Sequence, residues 1–169
     1  MIAGTPASLS EHEIARAEID AWRGRCLDQF AIGEARVGQT LQQAVEAGRA
    51  AKLPHLAGQR LESLIALIEQ EKLTKKQSLA IGGSLERWKL VEQNRVCLAH
   101  GVVTELLDQS GNWFAQFDWV IYKSKAAAPC RQTFSKAEAL SLESDLKDIG
   151  TSLSRQLGQI RKQLSAPKP

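Results

Sequence analysis

Arg95 and His100, in the run Arg95-Val96-Cys97-Leu98-Ala99-His100-Gly101, are the residues of this chain best suited to chemistry. A guanidinium holds phosphate oxygens through a rigid fork of donors, and an imidazole moves protons near neutral pH. Together they suffice in principle to cleave an RNA phosphodiester without a metal. The cation stabilises charge on the phosphoryl oxygens as the 2′-hydroxyl attacks, and the imidazole acts as acid or base on the oxygens that gain or lose a proton. DNA lacks the 2′-hydroxyl and escapes this internal attack. Glu92 is spaced to pair with Arg95 as an i,i+3 neighbour, and Asn94 adjoins it. Lys89, Lys123, Lys125 and Arg131 supply further cations for an RNA backbone.

Geometry constrains the pair. Residues five apart on an ideal helix are separated by about 140° around its axis. A joint site therefore requires the arginine to bend round, the histidine to leave helical geometry at Gly101, or a two-fold dimer in which each site draws on two chains. The spacing itself is not distinctive, since Arg49 and His55 nearly repeat it, with Pro54 in between. His12, in a first helical turn beside acids, reads as solvated, His55 as structural, and Asp118 as an edge or turn residue. Glycine-rich phosphate loops, HExxH and nucleophile-elbow motifs are absent from the sequence.

The elements that position these residues are mostly helices. Ser10-Glu11-His12-Glu13 is a capping box and opens a helix to about Ala47, with Ile14, Ala17, Ala21, Phe30, Val37, Leu41, Ala44 and Val45 as its inward stripe. Gly24, Gly33 and Gly38 within it imply close approach to a neighbouring helix, or a bend. Gly48 and the Leu53-Pro54 step end it. A second helix from about Leu56 to Leu73 is apolar round much of its circumference and is expected in the middle of a bundle. Thr74-Lys75-Lys76-Gln77, another capping box, opens a third helix through Leu79, Leu85, Trp88, Val91 and Leu98, which Gly82-Gly83 would loosen or kink and Gly101 would stop.

The pattern then changes. Val102–Leu107 and Trp113–Tyr122, rich in β-branched and aromatic residues, flank Asp108-Gln109-Ser110-Gly111-Asn112 and predict a hairpin. Its aromatic residues pack on the bundle or, in a sharper reading, stack bases. Residues 123–133 read as a basic loop. Ser135-Lys136-Ala137-Glu138 is a third capping box, and Leu142, Leu146, Ile149, Leu153, Leu157, Ile160 and Leu164 then form a heptad-like seam for the bundle or for a partner helix.

The segment from Glu92 to Gly101, late in a helical bundle and ending Ala-His-Gly, resembles the Arg-x4–6-His signature of HEPN domains. The short aromatic strand region and long final helix that follow are similar to HEPN-like proteins of prokaryotic toxin and defence systems. The resemblance implies a usually dimeric helical bundle with metal-independent endoribonuclease activity, in which Arg95 clamps phosphate and His100 is the acid/base. Glu92 and Asn94 would support them, RNA is the implied ligand, and an antitoxin protein is an implied partner. Val96 stands where the family usually carries a polar residue, often asparagine. A non-catalytic HEPN-like interaction or dimerisation module is the alternative reading.

Composition agrees with a folded domain. Of 169 residues, 43% are hydrophobic and 24% charged, and the net charge of +3 permits nucleic-acid contact without arguing for it. Cys26, Cys97 and Cys130 form no CxxC and do not cluster with histidines, so reduced thiols are expected and neither a metal nor another cofactor. The expectation is one cytoplasmic, non-membrane HEPN-like domain over 1–169, with flexible ends at about 1–9 and 166–169. Its fold class is mainly α: a helical bundle with a small β-hairpin inserted before the last long helix.

Overall fold

Three side-chain caps fix the starts of three of the four helices in the computed structural model, which describes residues 9–50, 52–71, 73–124 and 126–165, with only the backbone of Lys123. The expected flexible ends, apart from Leu9, lie outside the described residues, as does Lys125. Helix α1 (Glu11–Glu46) opens where the Ser10 amide donates to Glu13 Oε2 at 2.8 Å and the Glu13 amide donates back to Ser10 Oγ at 3.3 Å. Thr74 and Gln77 repeat this reciprocal pair at α3 (Lys75–His100), and Ser135 and Glu138 at α4 (Lys136–Leu164). Helix α2 (Ala57–Gln70) starts at Leu56 with no side-chain cap. Gly48, at φ 66°, turns the chain out of α1 in the left-handed conformation that glycine adopts without strain.

Between α3 and α4 lie β1 (Val102–Leu107), β2 (Trp113–Lys123) and β3 (Ala126–Ser135), an antiparallel meander in the order β1-β2-β3. The class is therefore mainly α with a small sheet before the last helix, and the predicted hairpin is present. The expected basic loop is instead a third strand. Small residues and Pro129 concealed it, yet every residue from Ala126 to Ser135 is in register opposite β2. In the β1–β2 connection, the Asp108 carboxylate accepts from the Ser110 and Asn112 amides, both at 2.8 Å, and Gly111 takes φ 77°. Strand β1 covers β2 only from Trp113 to Asp118; beyond that, β2 and β3 continue as a two-stranded ribbon. Its β2 residues Val120, Ile121 and Tyr122 are exposed.

The chain forms two compact units, Met1–Leu27 with Asn94–Glu143, and Asp28–Gln93 with Ser144–Pro169. Helices α1, α3 and α4 each contribute to both. The first unit is built round Trp22, whose ring meets Phe134, Trp113 and Phe117 with centroids 5.4, 6.1 and 6.2 Å away. The Trp22 indole N–H donates to the Ala139 carbonyl at 2.7 Å, so burial leaves no donor orphaned. Trp113 and Phe117 thus pack on the helices, the first of the two readings of the hairpin, while Tyr122 is exposed.

In the second unit Trp88 packs edge-on against Phe30, with centroids 5.9 Å apart. The Trp88 indole also lies so close to Gly33 that a Cβ there would overlap the ring. Close approach therefore explains Gly33, but a Cβ at Gly24 or Gly38 would meet nothing within 4 Å. Every seam position of α4 from Leu142 to Leu164 is buried within the chain, which settles the seam as intramolecular packing.

Three further expectations are corrected. The inward stripe of α1 begins Ala15, Ile19, Trp22 and Cys26, whereas Ile14, Ala17 and Ala21 are exposed. The sequence pattern admitted both phases, and only Trp22 and its partners select the second. Helix α2 buries one face, Leu61, Leu64, Leu67 and Ile68, rather than sitting in mid-bundle. Helix α3 runs unbroken through Gly82-Gly83, with Leu79 exposed.

Candidate functional site at the end of helix α3

The last turns of α3 are fixed from three directions within the first unit. Cys97 and Leu98 are fully buried and set the inward face. At Gly101 the chain leaves the helix against β2: a Cβ there would stand 2.5 Å from the Cys97 carbonyl oxygen and 3.0 Å from Phe117, so only glycine fits. From α1, Arg23 donates through Nε to the Leu98 carbonyl at 2.6 Å and through Nη2 to the Ala99 carbonyl at 3.3 Å, with its guanidinium 5.6 Å above the Phe117 ring. It thereby satisfies carbonyls that a helix end would otherwise leave unpaired. From β3, Gln132 Nε2 donates to Asn94 Oδ1 at 3.0 Å, so Asn94 ties the helix to the sheet.

This frame dictates where the motif residues point. With Cys97 and Leu98 inward, a rotation of 100° per residue places Arg95 on one flank of the outer surface and His100 on the other, with Val96 and Ala99 between them. Burial agrees: Arg95 and Ala99 are half-buried, Val96 is 42% exposed and His100 is open to solvent. Arg95 and His100 therefore stay apart around one helix, as the spacing requires. The strip between them is small and apolar.

The accessory cations are dispersed. Arg131 lies on β3 and is committed to its cross-strand neighbour Asp118, through Nε to Oδ1 at 2.6 Å and Nη2 to Oδ2 at 3.3 Å. That guanidinium holds the Asp118 carboxyl below its ordinary range. Asp118 is thus a mid-strand structural partner rather than an edge or turn residue. Lys123 ends β2 at the tip of the ribbon. Glu92, half-buried, and Lys89, 3.5 Å from Glu86, belong to the second unit.

Elsewhere in the first unit, a cleft of about 390 Å³ is lined by His12, Glu13, Arg16, Ala17, Asp20 and Glu105, where Arg16 bridges Asp20 and Glu105. A second, of about 280 Å³, adjoins Glu18, whose Oε2 accepts from the Trp113 indole at 2.7 Å and from Lys136 Nζ at 2.6 Å. Those two donors hold the Glu18 carboxyl below its ordinary range. His12 lines the first cleft and is exposed, and His55 is exposed in a bend. Among the described residues no group of His, Cys, Asp and Glu is arranged to hold a metal ion, and no helix is long and apolar enough to cross a membrane. Burial pushes the Cys97 thiol up to about 11 and the Cys26 thiol up to about 12, far from a reactive thiolate.

Arg23 is the residue of this region that the sequence did not disclose. Its partners lie some 75 positions away, and nothing local distinguishes it from Arg16 or Arg25. No family model, curated protein or solved structure matches the chain.

Proposed function

We propose that this chain is a HEPN-like RNA-binding protein that cleaves RNA without a metal, acting as a homodimer. Following the resemblance, it would be the toxin component of a defence or toxin–antitoxin pair, restrained by an antitoxin protein. The observation that carries the reading is the presentation of His100: solvent-open, at the last position of a helix whose end is clamped by Arg23, Gly101 and Phe117. In this reading the 2′-hydroxyl gives up its proton to water and its oxygen attacks phosphorus, while Arg95 of one copy stabilises the phosphoryl oxygens. The bond from phosphorus to the 5′-oxygen breaks, and that oxygen takes its proton from His100, leaving a 2′,3′-cyclic phosphate and a 5′-hydroxyl. Two copies are required because Arg95 and His100 of one helix flank opposite sides of its outer surface.

The test is cleavage of single-stranded RNA in excess EDTA, with Arg95→Ala and His100→Ala beside the wild type. Loss of the cyclic-phosphate product in both variants is the expected result. Equal cleavage by His100→Ala would move the chemistry elsewhere. A second reading, the non-catalytic interaction or dimerisation module, draws on Val96, whose exposed side chain between the two motif residues suits apolar contact rather than phosphate. Under it the wild type cleaves no RNA, and Val96→Asp changes the oligomeric state.

A further inference from the structure

A cationic seam in the second unit, remote in sequence from the Arg95 segment, has the chemistry of an anion site. From Ala35 to Val45 of α1 the only charged residue is Arg36, and from Thr151 to Leu164 of α4 the charged residues are Arg155, Arg161 and Lys162, with no carboxylate in either stretch. The two stretches meet at Arg161. Its Nη1 donates to Thr40 Oγ1 at 2.9 Å, and the fully buried Thr40 hydroxyl donates in turn to the Arg36 carbonyl at 2.8 Å. Gln43 Nε2 holds the Arg161 carbonyl at 3.1 Å, and Arg36 Nη1 is braced on Gln39 Oε1 at 3.1 Å.

The Arg161 guanidinium is tied to Thr40, one helical turn after Arg36, and two positive groups so placed are unfavourable without a counter-charge. Burial and the neighbouring Arg36 both press the Arg161 guanidinium toward losing its proton, which an arginine does not do in water near neutral pH. Among the described residues neither guanidinium is paired with a carboxylate, and the Nε and Nη2 donors of Arg161 have no acceptor. Nη2 lies beside Gly158, 3.8 Å from where a Cβ would stand. A rigid fork of unused donors beside a second cation is what a tetrahedral oxyanion recognises bidentately.

We propose that Arg161 and Arg36 form a phosphate-binding site on the seam between α1 and α4, with Thr40 as the buried post that holds Arg161 in place. Its ligand is a phosphate group, carried by a free phosphate compound or by an RNA backbone. The site does not depend on the chemistry assigned to Arg95 and His100.

The experiment measures the thermal stability of the full chain against inorganic phosphate, with chloride at matched ionic strength as reference, and the binding of a short single-stranded oligoribonucleotide by fluorescence anisotropy. Phosphate should stabilise the wild type more than chloride does, and Arg36→Gln and Arg161→Gln should each weaken that effect roughly tenfold, as expected for loss of a charge-assisted bond. RNA binding weakened in parallel, and competed by phosphate, identifies the backbone as ligand; RNA binding unchanged identifies a free phosphate compound. Phosphate acting no better than chloride on the wild type overturns the proposal, as does undiminished phosphate binding in the variants. Arg36 is exposed, so Arg36→Gln decides the matter if Arg161→Gln does not fold. The phosphate effect is read with no cleavage step, which separates a failure here from a failure of the cleavage assay.

Discussion

A methyl group at Gly33 would run into the indole of Trp88, whereas one at Gly24 would meet open space. The two glycines occupy the same helix, so they make a controlled pair. Gly33→Ala should cost about 1–3 kcal/mol through overpacking, and Gly24→Ala should add about 0.5–1 kcal/mol by removing backbone freedom from the unfolded chain; chemical denaturation of both variants reads the opposite signs. Thiol chemistry offers a second residue-scale test. Cys26 and Cys97 are buried, with thiols raised by burial, and Cys130 is partly exposed on β3. An aromatic disulfide reagent should label Cys130 in the native protein and reach the other two only in denaturant. Glu18 supplies a pH dependence. Its folded-state pKa lies below the ordinary 4.5, so its stabilising contribution is complete above that value and is lost as pH falls through the lower folded value. The Trp113 indole proton should report that transition by NMR, and Glu18→Gln should abolish it.

At the scale of elements, the three reciprocal caps are the features that sequence revealed most directly, because a serine or threonine and an acid or amide three residues on fix a helix start by local geometry alone. Ser135→Ala, at the junction of β3 and α4, should cost about 1 kcal/mol, measurable as a lower urea midpoint at unchanged slope. The α4 seam was legible for a similar reason: seven apolar residues at steps of four and three admit one inward face. Helix α1 was not, because alanines and isoleucines at neighbouring positions support two phases, and the choice rests on Trp22 meeting a sheet contributed by distant sequence. Strand β3 was hidden because alanine and Pro129 are weak strand formers, and its pairing with β2 is what makes it a strand. Arg95 and His100 were found from residue type and spacing. Their placement on opposite flanks followed from the helix repeat, but the Arg23 clamp required the tertiary structure. Arg23→Ala should leave the Leu98 and Ala99 carbonyls without their guanidinium and speed hydrogen exchange in the last turn of α3.

For the whole molecule, the ribbon of β2 and β3 has an implication for how the chain tolerates changes of length. Beyond Asp118 no β1 residue is paired, and strands run antiparallel, so residues can be removed two at a time, one from each strand, without shifting the register of any pair nearer the core. The aromatic cluster round Trp22 and the end of α3 would keep their positions. Replacing residues 122–127 with an Asn-Gly turn closed by Ile121 and Ala128 should leave the thermal midpoint nearly unchanged, whereas removing a single residue from one strand would turn the remaining side chains of that strand to the wrong face. The ribbon is therefore a length-adjustable extension: chains sharing this core can differ there by insertion or deletion, provided that the count changes by pairs.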